Sequence, residues 1–115
     1  MSKSDTIDRG REAFQRGKWA EARSLFSAAE KEAPLEPEDL ERLAKASYLV
    51  GKYSECIEFW TRVHNRFRDR GEANRAAYSA FWLGMTLFNR GDKAQGSGWM
   101  ARARRRVRLH CGGCV

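Results

Sequence analysis

Apolar residues recur along this chain at helical spacing. Leu40, Leu43, Ala44, Ser47 and Tyr48 follow an i, i+3, i+4 pattern, and beyond Gly51 so do Cys56, Phe59, Trp60, Val63 and Phe67. A glycine separates the two runs, where a left-handed backbone lets the chain reverse without a Cβ clash. The arrangement repeats. Gly17-Lys18-Trp19-Ala20-Glu21-Ala22 returns as Gly51-Lys52-Tyr53-Ser54-Glu55-Cys56, 34 residues later, with Phe26 aligned to Trp60 and Ala29 to Val63. A third, weaker copy starts at Gly91-Asp92-Lys93-Ala94, 40 residues after the second glycine, and places a six-residue loop insertion near Arg70-Gly71-Glu72. Pro34 and Pro37 mark the first boundary, and Pro37 suits a first helical turn. The pattern predicts an all-α fold of six helices in three hairpins, about residues 3–36, 37–70 and 77–110, as one domain over 1–110 with 111–115 a disordered tail.

These residues resemble the tetratricopeptide repeat. The first copy carries Gly10, Gly17, Trp19, Ala22, Phe26, Ala29 and Pro34 at that family's spacing. Gly10, Ala44 and Gly84 take the small position of each first helix, and Ala22, Cys56 and Gly96 that of each second helix. Phe26, Trp60 and Met100 fill the packing slot. Arg9 stands where an apolar residue is usual, Gly96 and Gly98 weaken the last helix, and Arg68 replaces the closing proline. The resemblance implies a helical-hairpin solenoid whose first helices line a concave groove for a protein or peptide partner.

A narrower resemblance covers about residues 10–106. The run Gly71-Glu72-Ala73-Asn74-Arg75-Ala76-Ala77-Tyr78-Ser79-Ala80-Phe81-Trp82-Leu83-Gly84, then Asn89-Arg90-Gly91-Asp92 and Gly96 to Arg105, is similar to the repeat (sensor) region of bacterial LuxR-type transcriptional regulators. In those proteins the repeats stand beside a separate helix-turn-helix domain, which is not found here, so a truncated relative or a short adaptor is expected rather than a DNA-binding regulator. With no capping element after the third unit, self-association through the last helix, along Trp99, Met100, Ala103 and Val107, is also expected.

Charge refines this picture. Residues 1–60 hold 10 basic and 12 acidic groups, whereas residues 61–115 hold 12 and 3, so the net +7 resides in the second half. No apolar run reaches membrane-spanning length, and the start MSKSDTIDRG has no signal-peptide core, so a cytoplasmic location is expected. Three cysteines are too few for a disulfide scaffold.

Two clusters are candidates for binding. By the family register, Tyr78, Phe81, Met85 and Phe88 line the groove face of the third unit, with Arg11 and Phe14 in the first and Glu41, Lys45 and Tyr48 in the second. Arg11 and Lys45 could meet a carboxylate, although the lysine-and-asparagine clamp of chaperone-binding relatives is missing. The second cluster is the basic patch Arg102, Arg104, Arg105, Arg106 and Arg108. Its apolar stripe at Trp99, Met100, Ala103 and Val107 favours a solvated face over a nucleic-acid interface, which is the alternative function. His110-Cys111-Gly112-Gly113-Cys114 offers too few well-placed ligands for a metal, His64 reads as a surface residue and Cys56 as a packed one. No catalytic spacing and no cofactor loop occur, so the expectation is a binding module, not an enzyme, with no cofactor and no metal; a fragment without independent function is the third reading.

Overall fold

A computed structural model describes the backbone of residues 3–114 and the side chains of residues 3–104. It contains six helices: α1 Lys3–Gln15, α2 Trp19–Glu32, α3 Pro37–Leu49, α4 Tyr53–Asp69, α5 Ala73–Arg90 and α6 Lys93–Cys114. No strand occurs among the described residues, so the all-α hairpin architecture expected from the periodicity is the one observed.

Four turns share one construction. Gly17, Gly51, Gly71 and Gly91 have φ of 75°, 81°, 75° and 98°. At each, the glycine N–H donates to the carbonyl three residues back and the following N–H to the carbonyl five back, as in Gly51 to Tyr48 (3.0 Å) and Lys52 to Ser47 (2.8 Å). This pair of hydrogen bonds satisfies carbonyls that the helix end would otherwise leave open. The α2–α3 break is different: Ala33 and Glu36 are extended, Pro37 opens α3, and the Leu35 N–H donates to Glu30 Oε2 at 2.7 Å.

Gly71 corrects the expected loop insertion. The connection there is only Arg70 to Glu72, and the additional residues lengthen helices instead: α4 has 17 residues and α5 has 18, against 14 in α2 and 13 in α3. With Arg68 in place of a proline, nothing stops α4 before Gly71, and good helix formers at Arg75, Ala76 and Ala77 begin α5 at Ala73 rather than at 77. At the other end, α6 runs through Cys114, past the point at 111 where the sequence predicts a disordered tail. Between Lys93 and Cys114 no proline interrupts it, and each glycine costs only about 1 kcal/mol.

The chain forms two compact units whose boundary falls inside α4, between Phe59 and Trp60. In the first, Ala13, Ala22, Phe26, Ala29, Leu40, Leu43 and Cys56 are buried. Gly10 lets α2 approach: a Cβ there would stand 3.1 Å from the Phe26 ring. In the second, Trp60, Val63, Phe67, Ala80, Leu83 and Leu87 are buried, and the Trp60 indole stacks on Trp82 at 5.6 Å and 10°. Here α5 and α6 cross at two glycines. A Cβ on Gly84 would lie 2.8 Å from the Gly96 carbonyl oxygen, and one on Gly96 would lie 2.8 Å from the Gly84 oxygen. Gly96, read from sequence as a weakness of the last helix, is thus what permits the crossing.

Gly98 is the contrasting case, exposed and with open space around its Cβ position. Gly98→Ala is expected to raise stability by about 0.5–1 kcal/mol by restricting the unfolded chain, seen as a rise in Tm of a few degrees.

His64 is not at the surface. It is buried, with Nδ1 2.9 Å from the Ala76 carbonyl and its ring edge-on to Trp99 at 5.1 Å. A carbonyl only accepts, so Nδ1 carries the proton. Among the described residues, no helix is long and apolar enough to cross a membrane.

Candidate functional site

In the first unit the expected groove cations are engaged by carboxylates of the chain itself. Asp39 lies in the first turn of α3 and is 1% exposed. Arg11, on α1, grips it with both ends of its fork: Nε donates to Oδ1 at 2.9 Å and Nη2 to Oδ2 at 2.7 Å. Arg42 adds a third bond from Nη1 to Oδ1 at 2.9 Å. The hydrogen bond to Asp39 raises the Arg11 pKa above its ordinary value, with burial opposing. Bidentate Arg–carboxylate pairing fixes geometry as well as charge. Arg11 therefore joins α1 to α3, a role that the sequence reading missed because it named no acceptor. Lys45 lies 3.4 Å from Glu41 on the next turn of the same helix. Phe14 packs edge-on against Trp19 at 5.2 Å, and Tyr48 lies 5.5 Å from Tyr53. Both rings close their own hairpin turns.

The second unit is more open. Tyr78 and Phe81, on α5, are 43% and 47% exposed. Tyr78 leans on the Trp60 and Trp82 rings at 6.2 and 6.4 Å, which steadies it while leaving one side uncovered. Met85 and Phe88 are half-buried, and Phe88 lies over Gly96, so its ring is partly absorbed by the α5–α6 contact.

A hollow of about 750 Å³ opens between α5 and α6. Asn74, Ala77, Tyr78 and Phe81 line it from α5; Met100, Ala103 and Arg104 line it from α6. Ala103 is buried and Met100 half-buried, so the apolar stripe of α6 is partly covered by its partner helix rather than wholly exposed. Two features that the sequence presents as rival sites, the aromatic stripe of α5 and the arginine helix α6, meet here through Phe81 and Arg104. Asn74 and Ala77 escaped notice because neither is conspicuous alone.

The remaining arginines divide. Arg102 lies over the Trp99 ring at 4.7 Å, and Arg75 and Arg70 over Phe67 at 4.3 and 5.5 Å. Such contacts hold a cation against an aromatic face while its charge stays near water. The side chains of Arg105, Arg106, Arg108, Val107, His110, Cys111 and Cys114 lie outside the described residues. Among the described residues, no group of three or more His, Cys, Asp or Glu side chains could hold a metal ion.

No protein-family profile matches the chain, and no curated protein matches it. Solved structures do. The N-terminal domain of stress-induced protein-1 (STI-1) from C. elegans superposes with a TM-score of 0.78 at 17% sequence identity, over 92% of this chain and 84% of that one. At that identity the likeness establishes a tetratricopeptide-like helical fold and nothing about ligands.

Proposed function

We propose that this chain is a protein-interaction scaffold that holds a segment of a partner protein against the apolar face of α5. The observation that carries the reading is the pair Tyr78 and Phe81, large rings left 43% and 47% exposed on a helix whose other sides are packed. Covering the exposed half of such a ring contributes about 1 kcal/mol, so a face of this kind favours a partner that covers it. The tetratricopeptide-like fold agrees with a binding module rather than an enzyme. Phe14, Glu41, Lys45 and Tyr48 have secondary roles in this reading, because each already meets a neighbour within its own unit.

Selection of peptides from an unbiased displayed library on the full chain tests it. Peptides so selected should lose about tenfold or more in affinity, roughly 1.4 kcal/mol, on Phe81→Ser, with helicity retained because Phe81 is exposed. Selected peptides that bind the variant as tightly as the parent, or a selection that returns none, would overturn the reading.

The narrower assignment, to the sensor region of a LuxR-type regulator working in the cytoplasm, is supported by the residues from Gly71 to Gly84 and from Asn89 to Asp92. It gives the scaffold a place beside a DNA-binding module on the same or another chain.

A further inference from the structure

We infer that the occupant of the α5–α6 hollow is an acidic amphipathic helix of a partner protein. This rests on the scaffold reading above and adds the shape and charge of what is held.

The shape follows from the lining. Asn74, Ala77, Tyr78 and Phe81 stand at i, i+3, i+4 and i+7 on α5, and Met100, Ala103 and Arg104 at i, i+3 and i+4 on α6. These are ridges of two adjacent antiparallel helices with a trough between them. A third helix fills such a trough by seating its own i, i+4 ridge there, whereas an extended strand finds no free sheet edge. The α5 ridge spans seven residue steps, about 10 Å, which calls for roughly two to three turns of occupant.

The charge follows from composition. Neither α5 nor α6 contains a single Asp or Glu, while α5 carries Arg75 and Arg90 and α6 carries Lys93 and five arginines. The acidic residues of this half, Asp69, Glu72 and Asp92, all lie at helix ends. Arg104, exposed at the rim, is the cation nearest to an occupant. An apolar trough whose one lining charge is the Arg104 cation, set between two helices without Asp or Glu, selects a helix with an aliphatic or aromatic ridge flanked by Glu or Asp over a basic one. Nucleic acid is the less favoured occupant: Arg104 is the lone charged group of the lining, and the floor is Ala77, Met100 and Ala103.

The test uses the full chain and fluorescence-labelled synthetic helices of about four turns, amidated at the C-terminus so that no terminal carboxylate contributes. One has a leucine ridge flanked by Glu, its twin has Gln at those positions, and a single-stranded RNA oligonucleotide is the third probe. The Glu helix should bind about tenfold more tightly than the Gln twin at low salt. Arg104→Ser should weaken the Glu helix several-fold and leave the twin unchanged; Phe81→Ser should weaken both. Equal binding of the two helices, lost on Phe81→Ser, overturns the acidic occupant while the scaffold reading stands. RNA binding that falls steeply between about 50 and 200 mM salt and ignores Phe81→Ser overturns it in favour of phosphate recognition. No binding by either helix overturns the inference, whereas the scaffold reading fails only if the unbiased selection also returns no Phe81-dependent peptide. Were Phe81→Ser to lose helicity, the Glu–Gln difference and its dependence on Arg104 decide alone.

Discussion

Gly84→Ala should destabilise the chain by about 2–3 kcal/mol, lowering Tm by on the order of 10–15 °C. The added methyl would stand 2.8 Å from the Gly96 carbonyl oxygen, 2.9 Å from Met100 Cγ and 3.2 Å from the Met100 amide nitrogen. Met100 can rotate away, but the two backbone atoms move only if the helices separate. Helix propensity favours alanine over glycine by about 1 kcal/mol, so the sign of the result decides between local propensity and interhelical contact. Gly96→Ala should behave alike, against the Gly84 oxygen and the Phe88 ring, both at 2.8 Å. Once either methyl has parted the helices the second adds little, so the double variant should fall short of the sum. Thermal unfolding followed by circular dichroism reads all three, and a Gly84→Ala protein as stable as the parent would refute the close crossing.

Removing the Arg11 fork is the second large effect. Arg11→Ala leaves the Asp39 carboxylate, 1% exposed, with Arg42 alone. Breaking one side of a buried pair costs about 3–5 kcal/mol. Because Arg11 is itself about half exposed and Arg42 remains, the expected loss is about 2–3 kcal/mol. Urea unfolding should show it as a lower midpoint at unchanged slope. Arg11→Met with Asp39→Leu should recover much of the loss, since no buried charge is then left unpaired. If Arg11→Ala is neutral while it weakens peptide binding, Arg11 is a ligand contact, as its register in the repeat implies, and not the tie between α1 and α3.

The parts of the fold legible in the sequence were those governed by local physics. The glycines at 17, 51 and 91 announced hairpin turns because a left-handed residue between two amphipathic runs has few other uses. Gly71 uses the same turn, but without a 34-residue register to flag it the stretch around it reads as an insertion. Lateral relations were not legible. Asp39 in the first turn of α3 looks like an ordinary helix-dipole residue until α1 brings Arg11 to it. His64 looks like surface until Ala76 and Trp99 close over it from two other helices. The candidate site falls between these cases. Period marks Tyr78 and Phe81 as one face, and composition marks α6 as basic. That both border one hollow depends on the rotation of α6 about its axis, which the Gly84–Gly96 contact sets.

The helix pairings carry a kinetic consequence. Within the first unit α1 packs with α2 and α3 and α2 with α3, and within the second α5 packs with α6, each of these pairings joining helices adjacent or next-adjacent in the chain. Loops this short close at little entropic cost, and each doubling of length adds only about 0.6 kcal/mol. Low sequence separation between partners places a chain among the fast folders, on the microsecond-to-millisecond scale of helical bundles. Within the first unit, α1 to α3 can pair with one another before α5 has been synthesised. The order in which the first unit leaves the ribosome is therefore also an order in which it can fold, and among the described residues no strand edge waits for a distant mate.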